Sequence, residues 1–86
     1  MSFRMKYDEE KVDEMVLALL YLTSFTQSGI TRAWKGQDWD VLNRLHEKGL
    51  ISDPKSKAKS VMLSEEAAKE SARLFQEYFA SNDETS

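Results

Sequence analysis

The chain has 86 residues, of which 41% are hydrophobic and 31% charged, a balance typical of one small globular domain. It contains no cysteine, which excludes a disulfide framework and a thiolate zinc site. No apolar run approaches the roughly 18 residues that a membrane span needs, and residues 8–10 are acidic where a secretory signal would be apolar. We therefore expect one cytoplasmic domain over residues 8–80, with flexible termini at 1–7 and 81–86.

The net charge of −3 is unevenly distributed. Residues 1–30 carry a net −2, residues 31–60 a net +3 and residues 61–86 a net −4. The middle third is therefore where an anionic partner would bind. Because phosphate contacts dominate nucleic-acid affinity, the acidic remainder argues against a general nucleic-acid binder.

Apolar spacing of three and four residues predicts the first and last helices. The spacing runs from Val12 to Leu20 after Asp8, a good N-cap, and from Ala68 to Phe79 after Ser64. Both helices carry more apolar residues than a single buried stripe requires.

Between these helices, the sequence predicts a short helical turn at residues 31–35 and a helix over 38–48 with an aspartate N-cap. Gly49 supplies the left-handed residue that closes this helix. A lysine-rich hairpin tip at 53–60 and a strand at 61–63 follow. The expected order is helix, short helix, helix, strand, wing, strand, helix, a mainly α fold with a small β-hairpin.

The expected core joins the middle of the chain to the first helix. Its members are Trp39, Leu42, Leu45, Leu50, Val61 and Leu63, packed against Val16, Leu19 and Leu20.

Residues 45–51 (LHEKGLI) and 61–66 (VMLSEE), with the basic hairpin between them, resemble the passage from recognition helix to wing in winged-helix proteins. In those proteins a leucine-rich helix ends in Gly-Leu-Ile, and a Leu-Ser/Thr-Glu step opens the helix after the wing. The resemblance implies a winged-helix-like fold. It says little about function, because one fold supports many functions.

Four motifs are similar to a family of small bacterial proteins classified only as a domain of unknown function. They are RAWKG (32–36), DWD (38–40), RLHEKG (44–49) and KAKSV (57–61). The similarity spans nearly the whole chain. It implies a bacterial origin and brings no assigned chemistry.

The residues that could carry catalysis or bind a metal do not form a recognisable set. His46 is the single histidine, and its neighbours do not complete a ligand set with defined spacing. Asp38 and Asp40 flank Trp39, but residues two apart on a helix point in different directions. We therefore expect a non-enzymatic protein that needs neither a cofactor nor a metal.

One interpretation is a DNA-binding regulator that uses the 53–60 wing and the 38–48 helix. The residues that would contact nucleic acid are Arg32, Lys35, Asn43, Arg44, Lys55, Lys57 and Lys59. The helix is net acidic, so any binding would be weak and largely independent of base sequence. The opposing interpretation is that the lysines keep an exposed hairpin soluble and unpaired.

The favoured interpretation is association, as a homodimer or with another protein. The extra apolar strips place the contact at Leu17, Tyr21, Leu74 and Tyr78. The same residues could instead pack on one another within one chain. Trp34 and Trp39 also have two interpretations: a corner of the core, which is favoured, or a stacking platform for single-stranded nucleic acid.

Overall fold

The computed structural model describes residues 6–81, which form three α-helices and one three-stranded antiparallel sheet. In chain order the elements are α1 (Glu9–Leu20), a 3₁₀ turn (Tyr21–Thr23), β1 (Phe25–Gln27), β2 (Ile30–Trp34), α2 (Trp39–Glu47), β3 (Ser60–Leu63) and α3 (Glu65–Phe79). The fold is therefore mixed α and β, with the strand order β1-β2-β3. The expected flexible termini fall mostly outside the described residues.

Each of these helices begins at the N-cap that the sequence predicts. Side-chain oxygens of Asp8, Asp38 and Ser64 accept hydrogen bonds from backbone N–H groups of the following turn at 3.0 to 3.3 Å. Acidic residues occupy all three first turns, where the helix dipole favours negative charge. The helix starts are thus determined by local sequence.

Helix α2 ends in the left-handed turn expected at Gly49, whose φ is +79°. The N–H of Gly49 donates to the carbonyl oxygen of His46 at 2.9 Å, and that of Leu50 donates to the carbonyl oxygen of Leu45 at 3.0 Å. This pair of hydrogen bonds defines a Schellman motif. It turns the chain back toward the sheet.

Residues 30–34 form strand β2 where the sequence predicted a short helical turn, so that prediction is wrong. Ser28 (φ 54°) and Gly29 (φ 79°) make a two-residue loop with left-handed backbone at both positions, which suits the twist of a hairpin. The strand then alternates, with Ala33 buried and Trp34 exposed. A Ser-Gly pair between β-branched and aromatic residues is a readable hairpin signal that the helical interpretation overlooked.

The predicted wing is an irregular loop with a strand on one side only. β3 confirms the strand expected at 61–63. On the other side, Ile51 forms a single bridge to Leu63. The carboxylate of Asp53 accepts the N–H of Lys55 at 2.9 Å, an Asx turn that diverts the backbone from strand geometry.

The core lies between the inner face of the sheet and the helices. Its buried hydrophobic members are Leu17, Ala18, Leu20, Ala33, Val41, Leu42, Leu45, Ile51, Val61, Leu63, Ala67 and Leu74. Five of the nine residues expected in the core are buried, and Val16, Leu19 and Leu50 are half-buried. Trp39 is 53% exposed, because it opens α2 before the helix reaches the core at Val41. Its expected burial is therefore wrong.

We expect Leu45→Ala to lower the free energy of unfolding by about 2–5 kcal/mol, because Leu45 is fully enclosed by the core. Leu22→Ala is the matched control: Leu22 is 65% exposed, and its truncation should change stability by less than about 0.5 kcal/mol. Urea unfolding followed by circular dichroism, at one protein concentration, measures both. Equal losses in the two variants would contradict the position of the core.

Candidate interaction surfaces

Asp13 on α1 is a buried carboxylate that holds two cations of α2. The guanidinium of Arg44 donates from Nε to both carboxylate oxygens at 2.9 and 3.0 Å and from Nη2 to Oδ1 at 2.7 Å. Lys48 donates to Oδ2 at 3.1 Å. Arg44 also lies 3.6 Å from the carboxylate of Glu9. A buried charge is tolerated only when it is paired and hydrogen-bonded in this way.

The ionisation of this cluster follows from its geometry. Burial acts to raise the pKa of Asp13, but the hydrogen bonds and positive charges of Arg44 and Lys48 outweigh burial and hold that pKa below its usual value. The hydrogen bonds to Asp13 raise the pKa of Arg44 in turn. Arg44 is thus engaged with the carboxylates of α1 and only partly exposed, and its expected role as a base reader stays a prediction.

Two further cations expected at a nucleic-acid contact are engaged in hydrogen bonds within the chain. Arg32 donates from Nε to the hydroxyl of Ser60 at 2.7 Å and from Nη2 to the Ser60 carbonyl oxygen at 3.0 Å. Lys35 donates to the carbonyl oxygens of Pro54 and Ser56. Lys35 therefore ties the 53–59 loop to the end of β2.

The remaining predicted contacts lie at the surface. Lys55, Lys57 and Lys59 are exposed and form no ion pair with the described residues, while Asn43 is half-buried. The single histidine donates from Nδ1 to the carbonyl oxygen of Ile51 at 3.1 Å. The three exposed lysines thus share one loop.

The aromatic surface at the end of α1 and α3 is a continuous cluster. The ring centroids of Tyr21 and Phe75 are 5.0 Å apart, those of Phe75 and Phe79 are 5.4 Å apart, and those of Tyr78 and Phe79 are 6.5 Å apart. Tyr21, Tyr78 and Phe79 remain exposed, as does the neighbouring Leu22. We call the four aromatic residues, Tyr21, Phe75, Tyr78 and Phe79, the aromatic cluster.

Two of the four residues expected at a dimer contact lie in the core instead. Leu17 and Leu74 are buried, because α1 and α3 pack side by side. The hydroxyl of Ser71 donates to the Leu17 carbonyl oxygen at 2.6 Å across this contact. Of the four residues, Tyr21 and Tyr78 stay on the surface, and the dimer contact itself stays a prediction.

The sheet has one covered and one open face. Residues paired across antiparallel strands share a face, so Ala33 and Val61 lie on the inner face and are buried. Phe25, Arg32 and Met62 form a cross-strand row on the opposite face. Ile30 and Trp34 flank Arg32 along β2, and Gln27 and Ser60 complete this outer sheet face. Its four large apolar residues are 39% to 54% exposed.

Trp34 is more than half exposed, so its expected place in the core is wrong. Its indole lies against Gly36: a Cβ built on Gly36 would stand 2.2 Å from Cη2 and Cζ2 of the ring. The glycine is required for this close approach. The alternation of inward and outward side chains along a strand at 30–34 would have predicted that Trp34 is exposed. The prediction of a helical turn at 31–35 did not use this alternation.

The described residues contain no cluster of three or more His, Cys, Asp or Glu side chains able to hold a metal. Within the same part of the chain, no helix is long and apolar enough to cross a membrane.

The chain belongs to the DUF6429 family, a domain of unknown function, whose family model matches residues 8–81. This confirms the similarity seen in the four motifs. The chain is also 48% identical over 75 residues to "Uncharacterized protein y4hR" of Sinorhizobium fredii (strain NBRC 101917 / NGR234), covering 87% of this chain and 97% of that protein. No solved structure matches the chain.

We expect Arg44→Ala to lower the free energy of unfolding by about 3 kcal/mol, because it leaves the buried Asp13 carboxylate with only Lys48. Arg73→Ala is the control, since Arg73 also pairs with two carboxylates but does so at the surface. Its removal should change stability little. Denaturant midpoints compare the two, and equal losses would contradict a structural role for Arg44.

A pH dependence follows from the lowered pKa of Asp13. Because the unfolded chain binds this proton more readily, the contribution of Asp13 is fully present above about pH 4 and is lost as the pH falls through the folded-state pKa. Urea midpoints from neutral pH down to about pH 3 measure the loss. The Asp13→Asn variant should be less stable at neutral pH and lose less on acidification. A variant that loses as much as the wild type would contradict the assignment.

Proposed function

We propose that the protein is a small, non-catalytic interaction module of the bacterial cytoplasm that forms a homodimer through the aromatic cluster. The observation that carries the proposal is the exposure of linked aromatic side chains at one end of α1 and α3. Tyrosine and phenylalanine are enriched at protein interfaces, where their rings bury a large area with few rotatable bonds. An exposed aromatic group of this kind supports an interface better than isolated surface residues do.

An exposed aromatic patch is suited to a second copy as partner, because in a two-fold interface the same patch of each copy meets itself. Small domains also gain stability from association.

The proposal of a non-catalytic role rests on how the polar groups are used. A groove of about 560 Å³ lies between β2, β3, the Gly49 turn and the start of α3, and among the described residues that line it only Glu65 is charged. His46 is held by the Ile51 carbonyl oxygen. Asp13 is neutralised by two cations. The single histidine and the buried carboxylate are thus both engaged with partners within the chain, which supports a non-catalytic role.

We also propose a winged-helix-like arrangement, limited to α2, the Gly49 turn and β3. These elements follow one another in the order that the resemblance at 45–51 and 61–66 implies. DNA binding by this passage is the weaker alternative. It is supported by the exposed lysines of the 53–59 loop and opposed by the engagement of Arg44 with Asp13. Sequence-selective duplex binding at physiological salt that depends on Asn43 would favour the alternative.

Size-exclusion chromatography with light scattering tests the homodimer. The wild type should elute at twice the monomer mass of 9.9 kDa. Tyr78→Glu and Phe79→Glu should each give a folded monomer, because a charge would be desolvated at the interface. Tyr7→Glu is the matched control: Tyr7 is an exposed tyrosine outside the cluster, so this variant should remain dimeric.

The folded state of each variant is checked by circular dichroism. A wild type that is monomeric at high micromolar concentration overturns the proposal, as does a dimer that both cluster variants leave intact.

A further inference from the structure

The outer sheet face is a second surface, separate in composition from the aromatic cluster. Phe25, Ile30, Trp34 and Met62 surround Arg32, and no described element covers them. An open sheet face with four large apolar side chains is unusual for a small domain, because such faces are normally packed against another layer. We therefore expect a ligand or partner to cover this face.

Trp34 is held in a position suited to stacking. Its six-membered ring lies against the backbone of Gly36, where a Cβ would be 2.2 Å from two ring carbons. Trp34 as a whole is 54% exposed to solvent. A ring supported on one side and free elsewhere loses little conformational entropy when a flat partner stacks on it. Phe25 provides a second exposed ring on the same face.

The positive charge needed to bind an anion lies on and beside this face. Arg32 uses two of its five N–H groups on Ser60 and has the others free for a ligand. The N–H of Lys35 donates to the carbonyl oxygen of Lys59 at 3.2 Å, and the ammonium of Lys35 ties down the 53–59 loop. The exposed lysines are thereby placed at the Trp34 end of the sheet.

The distribution of charge between the two parts of the molecule supports the same conclusion. Residues 25–36 and 52–63 hold five basic residues and one acidic residue, Asp53, whose carboxylate accepts the N–H of Lys55. The rest of the chain holds seven basic and fourteen acidic residues. A cationic, aromatic surface on an otherwise acidic protein attracts anions to one place.

We propose that the outer sheet face binds single-stranded nucleic acid, with bases stacked on Trp34 and Phe25 and phosphates bound by Arg32 and the lysines of the 53–59 loop. Single strands present both the flat rings and the regularly spaced anions that this surface matches. A duplex keeps its bases stacked on each other and inaccessible to a sheet. A second copy placed face to face would bring two cationic surfaces together, which disfavours that occupant.

The test is fluorescence anisotropy of labelled oligothymidylate and oligouridylate of about twelve nucleotides, at about 50 mM salt. The wild type should bind both single strands more tightly than a duplex of the same length. Its log affinity should fall with log salt with a slope of about −2 to −3.5, as expected for three to five phosphate contacts on a single strand. Comparison of the affinities for oligothymidylate and oligouridylate shows whether DNA or RNA is preferred.

A matched pair of tryptophan variants isolates the stacking. Trp34→Ala should weaken single-strand binding about tenfold or more, whereas Trp39→Ala, which removes an equally exposed tryptophan outside the sheet, should not. Replacement of Lys55, Lys57 and Lys59 by alanine should weaken binding and flatten the salt dependence. In a Trp39→Phe background, the fluorescence of Trp34 should be quenched by either oligonucleotide.

Three outcomes overturn the proposal: no single-strand binding at low salt, equal binding of duplex, or equal effects of the two tryptophan variants. A polyglutamate peptide that competes as well as an oligonucleotide also overturns it, since that partner has no rings to stack. The proposal does not rest on dimerisation. Tyr78→Glu should therefore bind the oligonucleotide through the same face even as a monomer.

Discussion

The buried carboxylate of Asp13 is the constraint on which the arrangement of α1 and α2 depends. A charge enclosed by the core requires compensation, and α2 supplies it from Arg44 and Lys48, one turn apart. The bidentate geometry of the guanidinium fixes how α2 is rotated about its own axis. That rotation directs Leu45 into the core. It also commits Arg44 and Lys48 to Asp13, so the charges of α2 without an ion pair among the described residues, Asp40 and Glu47, are acidic.

The helices pack on one side of the sheet, and this asymmetry creates the surfaces that remain available. Residues of the inner face, such as Val61, join the core, while those of the outer face stay exposed. The 3₁₀ turn lies between the outer sheet face and the aromatic cluster. The backbone N–H of Trp34 donates to the hydroxyl of Thr23 in this turn at 3.1 Å. The two surfaces are thus linked through this turn but differ in character, since one is cationic and the other is aromatic.

Charge separation links the fold to the proposed functions. The net charge of −3 is the sum of the acidic charge of the helices and the basic charge of the sheet and the 53–59 loop. A basic surface on an acidic protein restricts anion binding to one place and leaves the acidic helices to repel nucleic acid elsewhere. Helix α2 is poorly suited to bind duplex DNA, because it is net acidic and its arginine, Arg44, is paired with Asp13.

The sequence by itself determined the features that depend on neighbours along the chain. The helix caps at Asp8, Asp38 and Ser64 and the turn at Gly49 were predictable, because each is a hydrogen bond or a backbone conformation within a few residues. The apolar spacing likewise placed most of the core. Tertiary structure alone decided that Arg44 pairs with a residue 31 positions away and that the outer sheet face is left uncovered by the described helices. Strand pairing assigns each residue to a face of the sheet, and helix packing decides which face is covered; neither is encoded in local spacing.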